Sequence, residues 1–293
     1  MKLATSAYCP EWHPDWDAME RKLDRWFGHA AEEGADLCLL PEYAGIEAAL
    51  IGNPGRGLSV QDWTTRMEGA EGDYAALIVA MAQRHRLHIL GGSLCAVEGG
   101  QTVNRAHFAT PEGRLEWQDK LIPTPYERSR MGITGGSGLS LFATDLGKIG
   151  VLICYDSEFP LLARQLVEAG ADMILVPSCT DQPQGQTRVR QSARARAIES
   201  QCLVLQAPLV GRVTGCEVVD ESTGRAGIFC PPDYGLPADG ILAQGDTDVP
   251  GWVIAEIDPA AVAAPRFEGQ VGNFTHWPEQ QRHLCSVRTV DLR

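Results

Sequence analysis

The chain has 293 residues, 44% of them hydrophobic, and a formal net charge of −13. This length and apolar content allow one large α/β domain or two smaller ones, and no break in composition favours two. The acidic balance argues against nucleic acid as a partner. No apolar run has the length that spans a bilayer, and the first residues lack the apolar core of a signal peptide, so a cytoplasmic protein is expected.

The nine cysteines are dispersed along the chain, and their number is odd. Several lie inside apolar, strand-like runs, among them Cys38, Cys154 and Cys202. We therefore interpret them as reduced thiols rather than as a disulfide framework. No CxxC pair or Cys/His cluster has the spacing of a zinc site, so no metal is predicted. The glycine-rich residues 132–138 lack the phosphate-loop pattern.

The first part of the chain alternates between predicted strands and helices. Residues 3–8 form an apolar segment typical of a strand, and residues 15–33 show apolar side chains at helical spacing. Residues 36–40 then form a buried strand, and Glu42 follows the proline that ends it. Because α/β folds place their chemistry at the carboxyl ends of strands, Glu42 is a candidate base. The alternative is a solvated loop carboxylate.

A second candidate, Lys120, follows a predicted hairpin. Taken alone, a lysine in such a place is usually solvated, so its position by itself assigns no role. The elements expected between Glu42 and Lys120 are a loop-rich stretch at 52–71, a helix at 74–85, a strand at 87–92 and hairpin strands at 103–109 and 114–118.

The most informative stretch surrounds Cys154. Three apolar residues lead into this cysteine, a polar turn follows, and residues 161–169 continue with an apolar, helix-like pattern. The pattern predicts a buried strand, a tight turn and a helix. Free N–H groups at the start of the helix would favour thiolate over thiol and could bind an oxyanion. The alternative is a buried structural cysteine.

The remaining chain is predicted to hold more strands, a basic helix and a tail. The helix at 185–200 carries Arg190 and Arg194 on one face, where they repel unless an acidic partner or solvent lies opposite. The tail at 259–293 is apolar in places and is expected to pack on the domain or on a partner subunit. Strands are predicted at 139–144, 148–154, 172–177, 202–205, 226–229, 241–243 and 252–257.

Glu42, Lys120 and Cys154 are chemically complementary. A carboxylate can take the thiol proton, an ammonium can stabilise an oxyanion, and a thiolate can form a thioester. With these residues the sequence resembles the nitrilase superfamily of carbon–nitrogen hydrolases. The matching segments are Leu-Leu-Pro-Glu-Tyr at 39–43, Asp-Lys-Leu at 119–121, Val-Leu-Ile-Cys-Tyr-Asp at 151–156 with Phe-Pro at 159–160, and the runs 170–178 and 195–201.

The resemblance implies an α/β fold, a four-layer αββα sandwich over residues 1–258, followed by the tail. It implies Glu42 as general base, Lys120 and the Tyr155 N–H as oxyanion donors, and Cys154 as nucleophile. Glu127, seven residues after Lys120, fits a second glutamate that assists the lysine. No metal or organic cofactor is implied. Family members commonly form homodimers or larger homo-oligomers, so the same is expected here.

True nitrilases usually carry Cys-Trp-Glu at the nucleophile, whereas this chain has Cys-Tyr-Asp, which resembles the amidase and carbamoylase branches. We therefore expect hydrolysis of a small linear amide to a carboxylate and ammonia through a thioester on Cys154. The alternatives are an N-carbamoyl amine or amino acid hydrolase, a nitrilase, and a non-catalytic oligomeric protein that binds a metabolite. Substrate contacts are expected from Tyr43, Arg128, Glu158, Ser178 and Cys179, where Arg128 or Arg130 would suit a carboxylate and Glu158 a cationic group.

Overall fold

Two six-stranded sheets form the centre of the molecule. The computed structural model describes residues 1–52, 57–284 and 286–293. In spatial order the first sheet contains Gly251–Glu256 (β12), Lys2–Ala7 (β1), Leu37–Leu39 (β2), His88–Glu98 (β3), Gln101–Ala109 (β4) and Leu115–Asp119 (β5). The second contains Ile241–Gln244 (β11), Gly227–Phe229 (β10), Leu203–Pro208 (β9), Met173–Ser178 (β8), Gly147–Val151 (β7) and Leu141–Thr144 (β6).

Each sheet has a parallel centre, formed by β1, β2 and β3 in one and by β7, β8 and β9 in the other. The sheets face each other through β1, β2 and β9. Helices Trp16–Glu32 (α1) and Val60–His85 (α2) cover the first sheet, and Pro160–Glu168 (α3) and Pro183–Ser200 (α4) cover the second. The layer order is αββα, which confirms the predicted sandwich.

Apolar side chains fill the spaces between these layers. One core cluster lies between the first sheet and its helices and includes Phe27 and Trp63. Another includes Leu39 and Phe108 of the first sheet together with Leu175 of the second. Central strands covered on both faces are rich in apolar residues, as in β2 and β8, which is why they were recognisable in the sequence.

Helix α2 begins at Val60 rather than at the predicted residue 74, so the expectation of a loop-rich stretch at 52–71 was wrong from Val60 onward. Ser59 and Asp62 form a capping box that starts the helix at Val60. Gly69 and Gly72 lie on its exposed face with open space around them, so these helix-weakening residues are tolerated. Residues 53–56 of the predicted loop lie outside the described part of the chain.

The tail packs partly on the second half of the domain. The Arg266 guanidinium donates to the carbonyl groups of Gln201 and Ala171, and the Arg164 guanidinium lies over the rings of Phe274 and Trp277. Further along, residues such as Val287 and Leu292 are exposed. Among the helices that the structure describes, none combines the length and apolarity needed to cross a membrane.

Candidate active site

Glu42, Lys120 and Cys154 meet in one cavity of about 430 Å³. They follow β2, β5 and β7. The pairing of β4 with β5 extends to Lys120, whose backbone N–H donates to the Asn104 carbonyl at 2.8 Å. All three side chains are buried. Glu42 and Cys154 thus follow strands of the two parallel centres, where α/β proteins usually carry their chemistry, whereas Lys120 follows β5, an edge strand that pairs antiparallel with β4.

The Lys120 ammonium joins two glutamates. Its Nζ lies 2.7 Å from Glu42 Oε1 and 2.7 Å from Glu127 Oε2. Burial alone would lower the pKa of Lys120, but the charges of Glu42 and Glu127 outweigh it and hold the pKa well above its usual value. The lysine is therefore cationic. Because an ammonium has three N–H groups, these contacts leave one for a substrate oxygen.

Glu127 is fixed by donors on three sides. It begins a π-helical turn, Glu127–Met131, and accepts the Thr124 N–H and the Tyr43 hydroxyl at 2.7 Å each. Burial raises the pKa of this carboxyl, but Lys120 and these donors lower it further than burial raises it. The net effect is a lowered pKa, so Glu127 is the anionic partner that keeps Lys120 charged.

Glu42 differs from Glu127 in its proton affinity. Burial raises the pKa of Glu42 to about 7, with Lys120 acting against the shift and Glu127 adding to it. Its Oε1 accepts from Lys120, while its Oε2 accepts the Cys179 N–H at 2.9 Å. A carboxyl with a pKa near neutrality is suited to take a proton and return it, which is what a general base requires.

Asn104, a residue that the sequence analysis missed, contacts both glutamates. Its Nδ2 lies 2.9 Å from Glu42 Oε1 and 3.1 Å from Glu127 Oε1. The side chain is fully buried on β4. The sequence offered little signal, because β4 also carries the polar residues Arg105 and His107. The position of the Asn104 amide relative to Glu42 is determined only when the strands pair.

Cys154 lies at a strained turn. Its φ of +49° is in the left-handed region, and Tyr43, directly after Glu42, has a φ of +58°. Non-glycine residues in this region occur preferentially at functional sites. The turn continues as a 3₁₀ helix, Cys154–Glu158, and α3 begins only at Pro160.

The expectation that helix N–H groups favour a Cys154 thiolate was wrong for the resting site. Burial, followed by the charge of Glu42, raises the pKa of the thiol well above its usual value, and Lys120 only partly opposes this. Cys154 is therefore a neutral thiol beside a carboxylate. Its Sγ lies 3.7 Å from the Cys179 carbonyl oxygen.

Asp156 connects the lysine segment to the cysteine turn and was also missed as a site residue. Its carboxylate accepts the backbone N–H groups of Ile122 at 2.8 Å, Leu121 at 3.1 Å and Ile153 at 3.3 Å. Burial raises its pKa to about 6, although these three donors favour the charged form. Two residues after Cys154, this carboxylate fixes the distance between the Lys120 and Cys154 segments.

The residues expected to contact substrate fall into two groups. Tyr43, Glu158 and Cys179 line the cavity, as does Tyr155. Within the described residues, Arg128 and Ser178 are not part of the cavity wall. Arg128 is exposed and its Nε donates to the Pro123 carbonyl, while the Ser178 hydroxyl is buried and donates to the Ala207 carbonyl.

The outer cavity carries charges that sequence reasoning did not assign to the site. Arg188 of α4 lines the cavity, and its Nε lies 3.4 Å from Glu158 Oε1. Glu217, from the segment between β9 and β10, also lines the cavity, and its Oε1 lies 2.8 Å from Arg130 Nη2. Arg130, which would have suited a substrate carboxylate, is therefore already paired with an acid at the mouth.

Comparison with known proteins agrees with this arrangement. A family model described as carbon-nitrogen hydrolase matches residues 3–231. The probable hydrolase YhcX of Bacillus subtilis is 34% identical over 257 residues, which cover 87% of this chain and 49% of that protein, so the chain spans about half its length. A deaminated glutathione amidase of Synechocystis is 32% identical over 247 residues, covering 78% of this chain and 82% of that protein.

A solved structure shares the fold. Saccharomyces cerevisiae Nit3, a member of branch 10 of the nitrilase superfamily, superimposes with a TM-score of 0.70 at 20% identity, covering 91% of this chain and 93% of that one. The family model spans most of the chain and includes all three strand ends that carry Glu42, Lys120 and Cys154. As its motifs predicted, the chain belongs to the carbon-nitrogen hydrolase family.

Proposed function

We propose that this protein is a cysteine-dependent amidase that converts a small linear amide to a carboxylate and ammonia. The observation that carries the proposal is the Lys120 ammonium, 2.7 Å from both Glu42 and Glu127, in the cavity that Cys154 also lines. A base, a nucleophile and a cationic oxyanion donor are the groups that acyl transfer requires. All three are residues of this chain.

The first step forms the thioester. As the Cys154 sulfur attacks the amide carbon, its proton passes to Glu42, so the thiolate forms only during the attack. The oxygen that becomes negative lies between the Lys120 ammonium and the Tyr155 N–H, which belongs to the first turn of a helix and has no partner within it. Glu42 then gives its proton to the nitrogen, the C–N bond breaks, and ammonia leaves.

The second step hydrolyses the thioester. Glu42, ionised again, takes a proton from water, and the resulting hydroxide attacks the acyl carbon. The same two donors hold the second oxyanion. The C–S bond then breaks, the acid departs, and the proton on Glu42 returns to Cys154. Of the two Glu42 oxygens, Oε2 has the smaller set of donors, namely the Cys179 N–H, so we assign the proton transfers to it.

The choice of a small amide has three supports. The sequence at the turn of Cys154 is Cys154-Tyr155-Asp156, which resembles the corresponding sequence of amidases more than that of nitrilases. The Synechocystis relative is named as an amidase. A cavity of about 430 Å³ suits a small molecule rather than a polypeptide segment.

The test is ammonia release by the purified protein on a panel of aliphatic amides, ω-amides including deaminated glutathione, N-carbamoyl amino acids and nitriles. We expect turnover of at least one amide, abolished in Cys154→Ala and retained in Cys202→Ala, which removes another buried thiol. Turnover of nitriles or N-carbamoyl compounds without amides would contradict the proposed branch. Turnover of nothing, with no acyl group on Cys154, would indicate a binding protein instead.

A further inference from the structure

We propose that Asn104 is a positioning residue for the catalytic base: its side-chain amide holds Glu42 and Glu127 together on one lysine and keeps Glu42 able to accept a proton. The inference rests on the proposed role of Glu42 as base. It assigns Asn104 no contact with substrate. Its action passes through the two carboxylates that its Nδ2 touches.

The contacts of Asn104 determine the orientation of its side-chain amide. Nδ2 donates to Glu42 Oε1 at 2.9 Å and to Glu127 Oε1 at 3.1 Å, so both of its N–H groups are directed at carboxylates. The Oδ1 atom is buried and has no hydrogen-bond partner among the described residues. Reversing the amide would place this oxygen against two anions. The orientation is therefore determined by the charges around it.

Asn104 and Lys120 complete a ring of hydrogen bonds. Lys120 Nζ contacts Glu42 Oε1 and Glu127 Oε2, while Asn104 Nδ2 contacts Glu42 Oε1 and Glu127 Oε1. The two glutamates are thus bridged twice, once by a cation and once by a neutral dipole. A single lysine neutralises only one of two adjacent carboxylates, and the second would otherwise favour protonation at this depth.

A neutral donor can stabilise the second carboxylate without weakening the ion pairs of Lys120. Its N–H groups stabilise the charged form of Glu42, and it adds no charge that would compete for Glu127. The titratable groups that surround Glu42 from the neighbouring elements are Tyr43, Cys95, Lys120, Glu127, Cys154 and Cys179. Of these, only Lys120 carries a positive charge.

The test uses alkylation of Cys154 by iodoacetamide, followed by peptide mass mapping as pH is raised. Alkylation needs the thiol proton to pass to ionised Glu42, so its rate rises with pH as Glu42 ionises. This readout needs no amide substrate. It therefore separates the role of Asn104 from the proposed amidase activity, which would be tested by ammonia release.

In Asn104→Leu, which keeps a similar side-chain volume but removes both donors, we expect the alkylation profile to move to higher pH by about one unit or more. Below the midpoint this lowers the rate about tenfold for each unit, and the rate recovers at high pH. Asn104→Asp, which keeps the shape, adds a third carboxylate and should move the profile in the same direction. If Asn104→Leu does not fold, Asn104→Asp takes its place in the test.

The matched control is Gln206→Leu. Gln206 is also a buried amide on a strand. Among residues 1–52, 57–284 and 286–293, its Oε1 has no hydrogen-bond partner, and its side chain makes no hydrogen bond to Glu42, Lys120 or Glu127. We expect it to leave the midpoint in place even if it lowers stability. Folded Asn104 variants whose profile keeps the wild-type midpoint, or whose rate falls equally at every pH, would overturn the proposal.

Discussion

The Asp156 carboxylate accepts the Ile122 N–H at 2.8 Å although 34 residues separate the two along the chain. The same carboxylate holds Leu121 N–H, directly after Lys120, and Ile153 N–H, directly before Cys154. One buried side chain therefore fixes the segment that carries Lys120 relative to the segment that carries Cys154. This link between the two segments is made of hydrogen bonds and is removable by a single substitution.

Asp156→Ala should both destabilise the protein and slow it. Three backbone N–H groups would lose their acceptor, which should lower the free energy of unfolding by about 2–4 kcal/mol. Because Lys120 would no longer be held beside Cys154, kcat should fall by about tenfold or more. Denaturant unfolding and ammonia release are the measurements, with Asp246→Ala as the control because Asp246 is exposed. Unchanged kcat in a destabilised Asp156 variant would show that this link does not position the lysine.

The backbone just before Glu42 is supported by a glycine on the next strand. Gly92 has a φ of +72°, and a Cβ there would lie 2.3 Å from the Pro41 carbonyl oxygen. Gly92→Ala should therefore displace Pro41 and, with it, Glu42. The free energy of unfolding should fall by about 2–4 kcal/mol from strain and crowding together, and kcat should fall with it.

Gly99 supplies a matched control for this substitution. Its φ is +57°, but a Cβ there meets nothing within 4 Å. Gly99→Ala should lower the free energy of unfolding by only about 1 kcal/mol, from the strain of the left-handed backbone, and leave kcat unchanged. Equal effects of the two substitutions on thermal unfolding and on kcat would contradict the account of Gly92.

The pH dependence of the reaction should reflect Glu42. Burial raises its pKa to about 7, and only the ionised carboxylate accepts the thiol proton, so kcat/KM should rise with pH through about 7 and then level off. Glu127 is a negative neighbour that raises this pKa. Glu127→Gln should therefore move the rising limb to lower pH, even as it lowers the maximum rate. A limb that is absent, or that moves to higher pH in this variant, would exclude Glu42 as the titrating base.

Tyr43 should affect activity because its hydroxyl helps to fix the Glu127 carboxylate. Its hydroxyl donates to Glu127 Oε1 at 2.7 Å, so Tyr43→Phe removes one of the donors that fix this carboxylate. We expect kcat/KM to fall about tenfold, the usual scale for losing a hydrogen bond to a charged group. Tyr74→Phe is the control, because the buried Tyr74 hydroxyl donates to the Gly91 carbonyl instead. A similar loss of activity in both variants would indicate a general packing effect.

Much of the fold and the core of the site were predictable because they depend on local pattern. Central strands are rich in apolar residues, Glu42 and Lys120 each follow a predicted strand, and Cys154 ends one. With the matching motifs, these positions were enough to predict the family and the layered sandwich, both of which were confirmed.

The residues that hold this site together were not predictable in the same way. Asn104 acquires its role only when β4 pairs with β5 and brings its amide beside two distant glutamates. Asp156 accepts from backbone groups far along the chain, and Arg128 faces solvent with its Nε donating to the Pro123 carbonyl. The start of α2 was a different kind of miss, because the Ser59–Asp62 capping box is visible in the sequence but was not used to place the helix start.

The central claim is that the Cys154 sulfur carries the acyl group during turnover. Its most direct test is rapid acid quenching of the wild-type protein while it hydrolyses its best amide, followed by peptide mass mapping. The account predicts one acyl group on the peptide that contains Cys154, present during turnover and gone once the amide is exhausted. An acyl group on another residue, or steady ammonia release with Cys154 unmodified throughout, would contradict it.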